Sequence, residues 1–344
     1  MKKTLIALSV LVAAGSVNAA TIYENEGSSI SVSGEVKATY WNKEIKAGAA
    51  KTKSSELVSK GTLQFDIAHE INADVKALAG FEYDFSSGND ANGDDVWVGL
   101  QGDFGTVKIG ETGNPFGVLE NVDIGSEAEN VALSGDNAEE SKGQGIRYSN
   151  DFGPVAVSAA YFFTTDDETN GSGTDSDKTK GTTSLSAEYS HDMFTVAAAY
   201  SAGERELGQN AGDKAVDTKV AGLSASASFG PVEFGGMFAN YEATSTVLAS
   251  QIADGDAYGV FAKFDAMEDL QLYVSHQAFD ADKKYATTGV KSKSELKETA
   301  TFFGATYTLA PKVSMTGEYL MTEAKEGSAK AEEDRMTLNL KVKF

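Results

Sequence analysis

From Met336 to Phe344 the chain alternates apolar and polar side chains without a miss. Period two sets Met336, Leu338, Leu340, Val342 and Phe344 on one face of a strand, and Thr337, Asn339, Lys341 and Lys343 on the other. The first face needs an apolar surrounding and the second, with its two lysines, needs water. A transmembrane β-barrel meets both demands, with hydrocarbon outside and liquid inside.

The pattern recurs along the chain. Period-two reading places strands at Ser29 to Trp41, Leu57 to Ala68, Asp74 to Ser86, Val96 to Leu100, Gly105 to Gly110, Gly145 to Asn150, Val155 to Thr165 and Thr182 to Ser190. It continues at Phe194 to Ser201, Asp217 to Phe229, Val232 to Tyr241, Ala257 to Phe264, Leu270 to Gln277, Lys297 to Thr308, Lys312 to Thr322 and Arg335 to Phe344. The expected fold is therefore all-β, an antiparallel barrel of sixteen strands. Tight links such as Asp151 to Pro154, Phe229 to Pro231 and Leu309 to Pro311 alternate with polar stretches such as Asp166 to Gly181, so short periplasmic turns and long extracellular loops are expected. The four prolines interrupt no alternating run, as a closed sheet requires.

Residues 1–19 read as an export signal: Lys2 and Lys3, an apolar run from Leu5 to Ala14, then Val17, Asn18 and Ala19 in the small, spacer, small arrangement of a cleavage site. The run is half the ~20 residues a spanning helix needs. Removing nineteen residues leaves 325 of the 344 and takes the net charge from −22 to −24, since Lys2 and Lys3 go with them. So acidic a chain is a poor partner for nucleic acid and raises the local concentration of cations. Cysteine is absent, which removes thiol and disulfide chemistry.

Three segments resemble the general diffusion porins of Gram-negative outer membranes. They are the start Ala20 to Gly27 leading into Ser31-Val32-Ser33-Gly34, the stretch Gly102-Asp103-Phe104-Gly105-Thr106-Val107-Lys108-Ile109-Gly110, and the terminal Phe344. The resemblance implies a homotrimer in outer-membrane lipid and lipopolysaccharide, passing small hydrophilic solutes and ions without a cofactor. It also implies that the third long loop, 111–142, folds into the lumen as a constriction. That loop carries Glu111, Glu120, Asp123, Glu127, Glu129, Asp136, Glu139 and Glu140, with no base before Lys142. Carboxylates confined in a narrow channel favour cations. The family sets a ladder of bases opposite the loop, and here that ladder is thin. Glu35 stands where a base often does, Thr62 has only Lys60 nearby, and Glu111 replaces an arginine. Alternation points Lys108 and Arg147 inward. It aims Glu111 with Val107 and Ile109 toward lipid, unless the strand end turns it. The constriction candidates are Glu35, Lys108, Glu111, Glu120, Asp123, Glu127, Glu129 and Arg147.

His69, His191 and His276 lie far apart without metal spacing, and Asn89 to Asp95 does not complete a calcium loop. No nucleophile elbow, phosphate loop or dinucleotide fingerprint occurs, so no enzyme is expected. Two other readings are a sugar-specific channel with Trp97 and Phe162 as a sliding surface, and a secreted β-sandwich adhesin.

Overall fold

The computed structural model describes residues 19–87, 92–125, 144–163, 165–166, 178–207, 214–245, 251–287 and 290–344. The first eighteen residues of the expected signal lie outside these, as do Glu127, Glu129 and the rest of the loop through Lys142.

Alternating side chains make eighteen strand segments. They are β1 (Ala20–Asn25), β2 (Ser28–Ala47), β3 (Ala50–Glu70), β4 (Val75–Ser86), β5 (Asn92–Gly102), β6 (Gly105–Glu111), β7 (Gln144–Phe152), β8 (Val155–Phe162) and β9 (Thr165–Asp166). The second half holds β10 (Lys178–His191), β11 (Phe194–Leu207), β12 (Lys214–Phe229), β13 (Val232–Ser245), β14 (Gln251–Met267), β15 (Leu270–Thr287), β16 (Val290–Ala310), β17 (Val313–Glu326) and β18 (Ala329–Lys343). Neighbours pair antiparallel, and β18 pairs back to β2, closing the cylinder. Closure removes the free edges that would otherwise invite aggregation.

The eighteen segments form sixteen staves because two are continuations. β9 extends β8 along β10. β18 pairs with Glu35 to Ala47 of β2, and β1 takes over from Ser28 to Val32 of the same strand. Between them the Gly34 N–H donates to the Phe344 carbonyl at 3.2 Å and the Phe344 N–H donates back at 3.0 Å. Gly34 is required there. A Cβ would stand 2.4 Å from the Thr62 carbonyl oxygen and 2.7 Å from the Phe344 ring.

The two faces separate as alternation requires. On β18, Met336, Leu338, Leu340 and Val342 are exposed on the outside, while Thr337 and Asn339 are buried on the inside. On β11 and β13, Val196, Tyr200, Phe234 and Phe238 face out, and Ala197, Ala199, Met237 and Ala239 face in.

Strands outrun the membrane. β3 and β16 are 21 residues each, roughly 70 Å at ~3.3 Å per residue, against an apolar band ~25 Å tall. Part of the length expected in outer loops is thus carried by ribbons: β2 turns into β3 through Gly48 and Ala49, and β17 into β18 through Gly327 and Ser328. The projecting ends are charged. Lys51 and Lys53 approach Glu44 at 2.6 and 2.9 Å, and Lys46 reaches Asp334 at 3.3 Å. Hydrogen bonds from Lys51 and then Lys53 hold the Glu44 carboxyl down at about 2. Such a face has no place in hydrocarbon, so these ribbons stand in water.

Candidate functional site

The loop after β6 turns inward through a 3-10 helix, Pro115–Val122. Its start is written in the sequence. The Asn114 side chain accepts the Phe116 N–H at 3.0 Å, and Pro115 occupies the first helical position, where no N–H is needed. Three residues per turn align Phe116, Leu119 and Val122 on one face, and all three are 0% exposed. They pack on an apolar patch of the inner wall that includes Val220, Met237, Ala239, Ala257 and Phe261. At about 1.5–3 kcal/mol for each buried side chain, the seat stabilises a helix too short to persist alone.

Polar contacts set its height. Ser224 donates to the Val118 carbonyl at 2.7 Å and Ser275 to that of Val122 at 2.7 Å, while Asn121 Nδ2 donates to the Ala225 carbonyl at 3.1 Å. Gly222 and Gly259 make room: a Cβ on the first would lie 2.4 Å from Leu119 Cδ1, and on the second 2.9 Å from Val122.

Lys108 and Arg147 both face inward and pair directly across β6 and β7. Arg147 is tied to the loop, its Nη1 donating to the Gly113 carbonyl at 2.9 Å and its Nε to Ser158 Oγ at 2.9 Å. The Lys108 ammonium sits 3.6 Å from the centre of the Trp97 ring, a cation–π contact. Gly80 lies against the same indole, where a Cβ would meet it at 2.6 Å. Trp97 and Phe162, the candidates for a sliding surface, do not form one together: Lys108 sits over the Trp97 ring, and Phe162 is 1% exposed.

Glu111 departs from simple alternation. Gly110 has a φ of +125°, a conformation that favours glycine, and this turns the next side chain. Glu111 accepts the Val96 N–H at 3.3 Å and lines a recess of about 130 Å³ with Lys108 and Arg147. Glu35 lies elsewhere on the wall, 3.3 Å from Lys341, in a cavity of about 300 Å³ shared with Lys60 and Asp84. Glu120 and Asp123 stand at the end of the helix and are exposed to the lumen, and the Asp123 N–H donates to the Glu120 carbonyl at 2.9 Å. Sequence reading missed a further inward acidic group, Glu82, Asp84 and Asp94, whose carboxylate oxygens lie within 4.8 Å of one another. The alternation of Glu82 and Asp84 with Phe81, Tyr83 and Phe85 was the available signal.

Comparison with known proteins agrees with this architecture. The chain matches the Gram-negative porin family over residues 5–327. It is 30% identical over 261 residues to outer membrane protein U of Vibrio vulnificus, covering 70% of this chain and 69% of that one. It is 34% identical over 111 residues to porin-like protein H of Photobacterium profundum, about a third of each chain (32% and 32%). The solved trimer form of OmpT from Vibrio cholerae superposes with a TM-score of 0.70 at 14% identity, over 92% of this chain and 100% of that one.

Proposed function

This chain belongs to the Gram-negative porin family, and from that premise we propose that it passes small hydrophilic solutes and ions by passive diffusion with a preference for cations. Porins are outer-membrane channels with no catalytic step, so the question is what the lumen admits.

One observation supports the selectivity: among the described residues around the root of the loop, inward carboxylates outnumber the two inward bases, Lys108 and Arg147. Acids, meanwhile, stand on both sides of the passage, Glu120 and Asp123 on the helix and Glu82, Asp84 and Asp94 on the wall. A lumen in which clustered carboxylates outnumber the nearby bases concentrates cations. Glu127 and Glu129, outside the described residues, would add to the same field.

Residues 1–19 serve export in this reading, the protein assembles as a homotrimer, which the likeness to the trimer form of OmpT supports, and the charged ribbons stand among lipopolysaccharide head groups. Planar-bilayer recording under a KCl gradient tests the selectivity. A reversal potential on the cation side is expected, and one on the anion side refutes it.

A further inference from the structure

The apolar outer face of the barrel is broken on β15 and β16. His276 and Thr301 stand directly opposite each other there, with His276 Nδ1 2.7 Å from Thr301 Oγ1. Val260 and Met321 lie beside them on the next strands, and Val274 and Phe303 lie one outward step nearer the periplasmic turn, all four exposed.

Depth makes the pair unusual. The first outward charges on these two strands are Asp280 and Lys297, whose ion pair at 3.2 Å marks where water or head groups begin. His276 lies below Asp280 by about 10 Å and above Leu270 by about 15 Å, taking ~3.3 Å per residue and a strand tilt of ~40°, which sets it inside a band ~25 Å tall. On neighbouring strands the side chain two outward steps below the first charge is apolar: Val260 below Asp256, Tyr319 below Glu323 and Leu338 below Asp334. Hydrocarbon offers neither donor nor acceptor, so a polar side chain at this depth calls for a partner.

Thr301 satisfies one ring nitrogen, and Nε2 makes no hydrogen bond among the described residues. If Nδ1 donates to Thr301, Nε2 is an acceptor; if the Thr301 hydroxyl donates to Nδ1, Nε2 is a donor. A lipid ester carbonyl answers only the second arrangement, whereas a hydroxyl answers both. A lipid hydroxyl at this depth must sit on an acyl chain, a short way below the head group. Lipid A, the acylated anchor of lipopolysaccharide, carries such hydroxylated chains, and the common glycerophospholipids do not.

We propose that His276 and Thr301 form a docking point on the outer wall for a hydroxylated acyl chain of lipopolysaccharide. The proposal rests on the reading that this wall meets lipopolysaccharide and adds a site to it.

Native mass spectrometry of the folded protein in detergent tests it, with purified lipid A or dipalmitoylphosphatidylglycerol added. Lipid A is expected to bind at least tenfold more tightly than the phosphatidylglycerol, which is anionic but has no acyl hydroxyl. Combining His276→Leu with Thr301→Val is expected to weaken lipid A binding at least tenfold and to leave phosphatidylglycerol binding and heat-modifiable migration unchanged. His276→Asn, which keeps a donor and an acceptor, is expected to retain the preference for lipid A. Equal binding of the two lipids by the parent, or unchanged lipid A binding by the double variant, overturns the docking point. Loss of the oligomer in that variant does so too, by placing the pair between protomers. No lipid A binding by the parent at all would instead remove the lipopolysaccharide reading beneath it.

Discussion

Asp123 shows how the lumen alters a single carboxylate. It opens to lumen water but is hemmed in by protein, and that desolvation, followed by the nearby Glu120 and Glu318, pushes its carboxyl up to about 6. Protonation removes a negative charge, so cation preference should weaken as pH falls through about 6. Reversal potentials measured from pH 7.5 to 4.5 should show that step, and Asp123→Asn should remove it while lowering the preference at pH 7.5. Glu111 illustrates the limit of reading residues alone. Its charge and its place at a strand end are plain in the sequence, but its direction depends on Gly110 adopting a φ of +125°. A glycine permits that conformation without announcing it.

The inward 3-10 helix is legible as an element and silent about its seat. Asn114-Pro115 marks a helix start, and Phe116, Leu119 and Val122 recur every third residue, the period of a 3-10 turn. Nothing local says that the receiving surface is the inner wall of β12 to β15. Gly259→Val should thrust side-chain atoms into Val122, whose nearest atom lies only 2.9 Å from the position a Cβ would take. The expected result is an unseated helix with a noisier unitary current and added subconductance levels. Gly317→Ala, whose Cβ meets nothing within 4 Å, should leave the recordings unchanged. If both variants conduct like the parent, the seat does not set the pore.

For the whole molecule, closure is the decisive event, and it depends on the junction of β18 with β1. Deleting Phe344 removes the two backbone hydrogen bonds to Gly34, worth about 1–3 kcal/mol together, and uncovers the gap in that stave. The deletion should lower by several degrees the temperature at which the detergent-solubilised barrel changes its electrophoretic mobility. Gly34→Val, which cannot fit beside Thr62 and Phe344, should act in the same direction. Sequence alone determines the strand faces: Leu338 looks to lipid and Asn339 to the lumen because successive side chains of an extended chain point opposite ways, a consequence of local covalent geometry. Tertiary structure alone decides which lumen groups meet. Ser224 reaches Val118 and Ser275 reaches Val122 across 106 and 153 residues of chain, because register and closure accumulate around the whole cylinder before any two distant side chains are brought together.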